Sequence, residues 1–233
     1  LGVIATACGG EAATPVPSGV TADEVQRMVA EALADRSAAR DAAPAPGGPF
    51  VIGVMESLTG PGITYGNVAI QSKLLAVNEI NSAGGVNGRP IKLIIEDEKC
   101  NAQDAITAYT KLTAVEGVRI ILGTSCSGAM LGAAPLAEED GVILFSSLAT
   151  NPQIADAGDY IFRSAISDAF VGVETGNTIW ADGNRRLATI SEDTDYADGV
   201  RRETAKRFAA LGGTIVAHES YASEETDFSA VIA

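Results

Sequence analysis

From residue 49 onward, short β-branched apolar runs alternate with longer stretches whose apolar positions recur every three or four residues. That alternation is the pattern of β-α units laid on a parallel sheet. Strands are expected at 50–55, 91–96, 118–122 and 142–146, with helices over 63–81, 102–116 and 128–140 between them. Gly84-Gly85 and Asn87-Gly88 close the first helix and turn the chain into the second strand. A short strand at 160–163 ends this series. A second series follows, with helix 168–181, strand 187–191, helix 196–210 closed by Gly212-Gly213, and strand 214–218. The fold class is α/β, with a first lobe over 49–165 and the start of a second, incomplete lobe over 166–233.

The segments before this region have another character. LGVIATAC at 1–8 reads as the end of a secretion signal. Ala5-Thr6-Ala7 satisfies an ordinary signal peptidase, whereas Ala5-Thr6-Ala7-Cys8 resembles a bacterial lipobox with Ala5 where Leu is usual. The lipobox is favoured, since Gly9-Gly10 and a polar, Pro-bearing stretch follow it; Cys8 would then be lipidated and tether the protein to the membrane. Residues 9–48 form a linker rich in Ala, Pro, Gly and Ser. Within it, Thr21 and Glu24 have capping-box spacing, and Val25, Met28, Val29, Ala32 and Leu33 make one stripe of a short helix over 21–36. At the other end, Thr226-Asp227-Phe228-Ser229 reads as a cap and first helical turn, so both ends look cut.

Composition narrows the function. Sixteen Lys and Arg against 30 Asp and Glu leave a net charge of −14, which repels phosphate backbones and argues against nucleic-acid binding. A single histidine, His218, and three cysteines exclude a multi-histidine metal site and a four-cysteine zinc site. No cofactor is implied.

In an open parallel sheet, ligands bind beyond the carboxyl ends of the strands. SLTGPGITYG at 57–66, TSCSG at 124–128 and SSLATNP at 146–152 are the loops so placed, and all are rich in small hydroxyl residues. Ser127 precedes the helix expected at 128–140, where a hydroxyl and backbone N–H groups suit a carboxylate at a positive helix end. Thr150 occupies a similar position. The alternative for both is a plain cap serving the chain's own backbone.

Enzymatic patterns fail. GTSCSG at 123–128 has Ser127 where a nucleophile elbow needs Gly, and the only histidine lies in the other lobe. Gly60-Pro61-Gly62 is no dinucleotide fingerprint, and Asp193, Asp195 and Asp198 read as helix N-terminal acids rather than a calcium loop. Cys100 follows the second expected strand and Cys126 the third, both at the same edge of the sheet, as a disulfide or as two buried thiols.

FVIGVMESLTGPGITYG at 50–66, LAVNEINSAGGVNGRPIKL at 75–93, the Cys100 and Cys126 pair, LATNPQI at 148–154, YIFRSAISD at 160–168, TISEDTDYADG at 189–199 and TDFS at 226–229 occur in register. Together they resemble the extracellular solute-binding proteins of ABC transporters for branched-chain amino acids, the leucine/isoleucine/valine-binding protein family with the type I periplasmic-binding fold. The resemblance implies two doubly wound lobes joined by hinge strands, closing on a ligand without catalysis, outside the cytoplasm or anchored to the membrane. It implies that Ser127 and Thr150 hold a ligand α-carboxylate. Tyr65, Ser125, Cys126, Leu148 and Ala149 would line the first-lobe wall, and Tyr196 would reach in from the second. It also implies a Cys100–Cys126 bridge and a membrane permease as partner. Ser125 stands where leucine binders carry an apolar residue and Leu148 where they carry a small one, so the ligand could be a branched-chain-like amino acid or a related carboxylate or amide. A sensor ectodomain on the same fold is the alternative.

Overall fold

The computed structural model describes residues 47–223 and 225–229. The expectations for Cys8 and for the helix over 21–36 lie outside the described residues.

Five strands form the first sheet in the order β2-β1-β3-β4-β5, all parallel: β1 (Phe50–Glu56), β2 (Ile91–Asp97), β3 (Ile120–Gly123), β4 (Ile143–Ser146) and β5 (Ile161–Arg163). β1 is central, and Gly53 pairs with Ile94 on one side and Ile121 on the other. Successive residues of a strand face opposite sides, and Val54 and Met55 enter separate cores. Val54 meets Ile70, Leu74 and Val77 of α1 (Ile63–Ser82). Met55 joins Tyr109 of α2 (Ala102–Thr110) and Met130 and Ala133 of α3 (Ser127–Asp140). The sheet is therefore wound on both faces. Strand order reverses between β1 and β3, so the loops after these strands border the crevice where an α/β sheet takes ligands.

One expected helix, 102–116, is interrupted. After Thr110 the chain forms a π-turn over Lys111–Val115, which leaves Leu112 fully buried against the sheet. A β-carbon at residue 53 would lie 3.0 Å from both Leu112 and Val118, so Gly53 makes room for this turn. A 3-10 turn, Pro152–Asp156, follows β4 where the sequence pattern predicts no helix.

The second series comprises α4 (Asp168–Ala181), β6 (Arg186–Glu192), α5 (Asp195–Ala210) and β7 (Thr214–Tyr221), with β6 and β7 parallel. Both strands run beyond the ends expected for them. α4 and α5 approach closely because Gly172 and Gly176 face Glu203, Thr204 and Arg207 with no side chain of their own. Phe208 is fully buried and meets the Trp180 ring edge-on at 6.1 Å. His218 is exposed on β7 beside Thr189. Asp195 and Asp198 occupy the first turn of α5, and Asp198 pairs with Arg201 and Arg202. Near the chain end Asp227, rather than Thr226, accepts the Ser229 N–H at 2.9 Å.

Candidate functional site

The loops after β1, β2 and β3 meet around two buried carboxylates that close the strands. Glu98 accepts the Ser57 hydroxyl proton (2.7 Å) and the N–H groups of Ser125 (3.3 Å) and Cys100 (2.8 Å), tying three loops together. Burial pushes its carboxyl up to about 7 against those bonds. Glu56 is paired with Lys73 at 2.5 Å and accepts the Ser125 hydroxyl proton. Its carboxyl is also raised, by burial first, with Lys73 opposing. Cys100 and Cys126 have their sulfurs 1.89 Å apart, across two of the loops that Glu98 ties.

α1 reaches this edge because Gly66 lies against Ser57: a β-carbon there would come within 2.0 Å of the Ser57 carbonyl oxygen. Tyr65, the preceding residue of α1, is 63% exposed.

Ser127 does not cap a helix. It is the first residue of α3, Cys126 holds the cap position without a side-chain bond, and Ser127 as a residue is buried. Its oxygen accepts the N–H groups of Thr150 (3.3 Å) and Asn151 (3.2 Å), joining the loops after β3 and β4. A serine oxygen has two lone pairs and one proton. Both lone pairs are in use, and the proton has no acceptor among the described residues.

Thr150 is no cap either, since Asn151 caps the 3-10 turn by accepting the Gln153 N–H at 2.8 Å. The Thr150 hydroxyl lies 2.8 Å from Asp168 Oδ2. An ionised carboxylate only accepts, so Thr150 donates and its oxygen keeps free lone pairs. Thr150 therefore does not duplicate Ser127 as a donor to a carboxylate. Asp168, at the start of α4, is 3% exposed; burial raises its carboxyl, with Thr150 and Arg163 opposing.

Two of the expected wall residues sit differently. Ala149 is 1% exposed and belongs to the core, its N–H donating to Ser146 Oγ at 2.9 Å, so its methyl group fills the interior rather than a ligand surface. Ser125 is buried with its proton directed to Glu56. Leu148 is exposed, and Cys126 is half-buried. Tyr196, on the first turn of α5 and 53% exposed, converges on the same crevice: burial raises its phenol, and Asp168 and Tyr65 add to the effect in that order. The two lobes also touch directly, where Asn151 Nδ2 donates to the Asp195 carbonyl at 2.5 Å. Gly199 lies against Asn151 and Pro152 at this contact.

A family described as periplasmic binding protein matches residues 49–233. The chain belongs to the periplasmic binding protein family. Among curated members, the Leu/Ile/Val-binding protein homolog 1 of Brucella abortus is 32% identical over 185 residues, covering 78% of this chain and 50% of that protein. Among solved members, the substrate binding protein LivJ of Streptococcus pneumoniae, in complex with isoleucine, is 29% identical with a TM-score of 0.69, covering 79% of this chain and 53% of that one. A leucine binding protein of Thermotoga maritima is 25% identical with a TM-score of 0.71, covering 78% and 52%. The chain thus spans about half the length of the relatives it matches. The family is one of binding proteins rather than enzymes.

In this periplasmic binding protein the side chains that sequence reasoning missed are Glu56, Glu98, Asn151 and Asp168. Each stands at a strand or helix end, where an acid or amide ordinarily faces water. The available signal was their position after strands of a parallel sheet, which directs them toward the ligand edge.

Proposed function

We propose that this protein is a non-catalytic receptor for a small α-amino acid of branched-chain type. In this reading it delivers the amino acid to the permease of an ABC importer while held outside the cytoplasm by a lipid on Cys8. One observation carries the ligand class: Ser127 has a proton and no free lone pair, whereas 2.8 Å from Asp168 the Thr150 oxygen has lone pairs and no free proton. A carboxylate needs donors and an ammonium needs acceptors, so the two hydroxyls together suit a zwitterion. The N-terminus of α3 at Ser127 adds favourable potential for the carboxylate. Tyr65 on α1 and Tyr196 on α5 belong to opposite lobes, and in this reading they cover the ligand as the lobes close.

The test is calorimetry of the full-length protein with leucine, isoleucine and valine. Wild type is expected to bind at least one of them, and Ser127→Ala combined with Thr150→Ala to abolish tight binding. Unchanged affinity in the double variant refutes the assignment. Intact mass of the membrane-extracted protein tests the lipid at Cys8 separately.

A further inference from the structure

The Cys100–Cys126 bridge has surroundings that a structural staple does not need. Both cysteines are half-buried rather than enclosed. Cys126 holds the N-cap position of α3, a helix of 14 residues, and no side chain caps that turn. A sulfur at a helix N-terminus is favoured as a thiolate, which makes it the better leaving group in exchange. Cys100 and Lys99 sit in left-handed backbone, with φ of 62° and 47°. Residues other than glycine adopt that conformation at a cost. The two acids at the end of β2 hold it, Asp97 accepting the Lys99 N–H at 3.0 Å and Glu98 the Cys100 N–H at 2.8 Å. Opening the bridge lets Cys100 leave this conformation.

One hydroxyl connects the bridge to a buried acid. Ser57 Oγ lies 2.7 Å from Glu98 Oε1 and 3.8 Å from Cys126 Sγ. A disulfide sulfur only accepts, so Ser57 has one proton for two acceptors. While Glu98 is ionised, the carboxylate takes it. Once Glu98 is protonated, its own O–H donates to Ser57, which turns its proton to the sulfur. Burial favours the protonated form and Glu56 adds to it, against the bonds from Ser57, Cys100 and Ser125. The other charges nearby do not reverse this. Lys73 of α1 is engaged by Glu56, Asp97 by the N–H groups of Leu58 and Thr59, and Lys99 by Asp104 of α2. The first turn of α3 carries no charged side chain, and Asp195 of α5, which lies against Gly128, is negative.

We infer that Cys100–Cys126 is an exchange-active disulfide that reacts with an external dithiol, Ser57 relaying the Glu98 proton to the departing Cys126 sulfur. A thiolate of the dithiol attacks Cys100 Sγ and forms a mixed disulfide. The bond between the cysteines breaks, and its electron pair leaves on Cys126 Sγ, which takes the Ser57 proton as Ser57 takes that of Glu98. The second thiolate of the dithiol then attacks its own sulfur in the mixed disulfide, releasing Cys100 as a thiolate and closing the dithiol to a cyclic disulfide. Two electrons pass from the dithiol to the protein.

The experiment follows reduction of the folded full-length protein by dithiothreitol from pH 6 to 9, trapping the freed thiols by alkylation and weighing the intact chain. Each rate is divided by the concentration of dithiothreitol thiolate. The wild-type rate so normalised is expected to fall as pH rises through about 7, where Glu98 loses its proton. Ser57→Ala should flatten that profile and slow reduction at pH 6 on the order of 100-fold, the lower end for a positioned acid. Glu98→Gln, which cannot ionise, should flatten it equally, and it decides the matter where Ser57→Ala does not fold. A flat wild-type profile overturns the inference, as does a falling profile or an unslowed rate in Ser57→Ala. Wild type that is reduced only in denaturant overturns it too. None of these readings uses a ligand, so their failure leaves the receptor assignment untouched.

Discussion

Replacing Glu98 by Gln should change the slope of stability against pH more than its level. In the folded chain the Glu98 carboxyl is pushed by burial from 4.5 up to about 7. Between those values the native state holds a proton that the unfolded chain has lost. Unfolding then releases that proton, so stability falls as pH rises through this window and levels off above about 7. At about 1.4 kcal/mol per pH unit the whole window is worth about 3 kcal/mol. Gln carries no such titration. It does set an amide nitrogen where a carboxylate oxygen now accepts the Cys100 or Ser125 N–H, a donor facing a donor, at about 1–3 kcal/mol. The variant is therefore expected to be less stable than wild type at pH 5 and to gain about 3 kcal/mol on it by pH 8. Glu56 is shifted in the same direction but is present in both proteins, so most of its contribution cancels in the difference. Urea unfolding at pH 5, 6, 7 and 8, followed by circular dichroism, reads that difference. Parallel curves for the two proteins would show that Glu98 does not titrate in this window.

Two further outcomes follow from the same loops and the contact between lobes. The bond between Cys100 and Cys126 closes a separation of 26 residues, so Cys100→Ser together with Cys126→Ser should cost about 3 kcal/mol on the chain-entropy model; alkylation and intact mass of the unreduced protein should find both thiols blocked, and free thiols would refute the bond. At residue 199 a β-carbon would lie 3.0 Å from Asn151 Nδ2 and 3.1 Å from Pro152 Cδ, so Gly199→Ala should displace the amide that bonds Asp195. It should weaken ligand binding by about 1 kcal/mol with the melting temperature nearly unchanged, and unaltered calorimetric affinity would show that this contact takes no part in closure.

The fold was legible because its signals are local. Apolar runs and glycine stops place β1 to β7 to within a few residues, and α4 is found at the expected bounds, Asp168–Ala181. What escaped depends on pairs distant in sequence. Ser127 looks like a cap because a hydroxyl before a helix usually serves its own turn, but its partners are Thr150 and Asn151, which the order of β3 and β4 brings beside it. Ala149 is expected in the wall through the family resemblance, and only the seating of the β4 loop over α3 places it in the core. Glu56 and Glu98 look like solvated strand ends until the pairing of β1 with β2 and β3 buries them. The π-turn at Lys111–Val115 has no sequence signal beyond Gly117 after it, since its purpose is to keep Leu112 over Gly53.

The same carboxylates decide which way the crevice hydroxyls point. Glu98 takes the proton of Ser57, Glu56 that of Ser125 and Asp168 that of Thr150. Ser127 differs, bonded instead to two N–H groups that occupy its oxygen. A free serine or threonine rotates to suit whatever arrives, but one held by an ionised acid cannot turn its proton outward without stranding a buried charge, a loss of about 1.5–3 kcal/mol. The hydroxyls at this edge thus have a fixed sense: a donor at Ser127 and an acceptor at Thr150, with Ser125 buried behind them and turned to Glu56. Preorganisation of this kind lets the ligand bear less of the ordering cost on binding. It also makes the pattern depend on groups behind the wall, so that protonating one of the three acids, and not merely rearranging water, is what would reverse the sense of the hydroxyl in front of it.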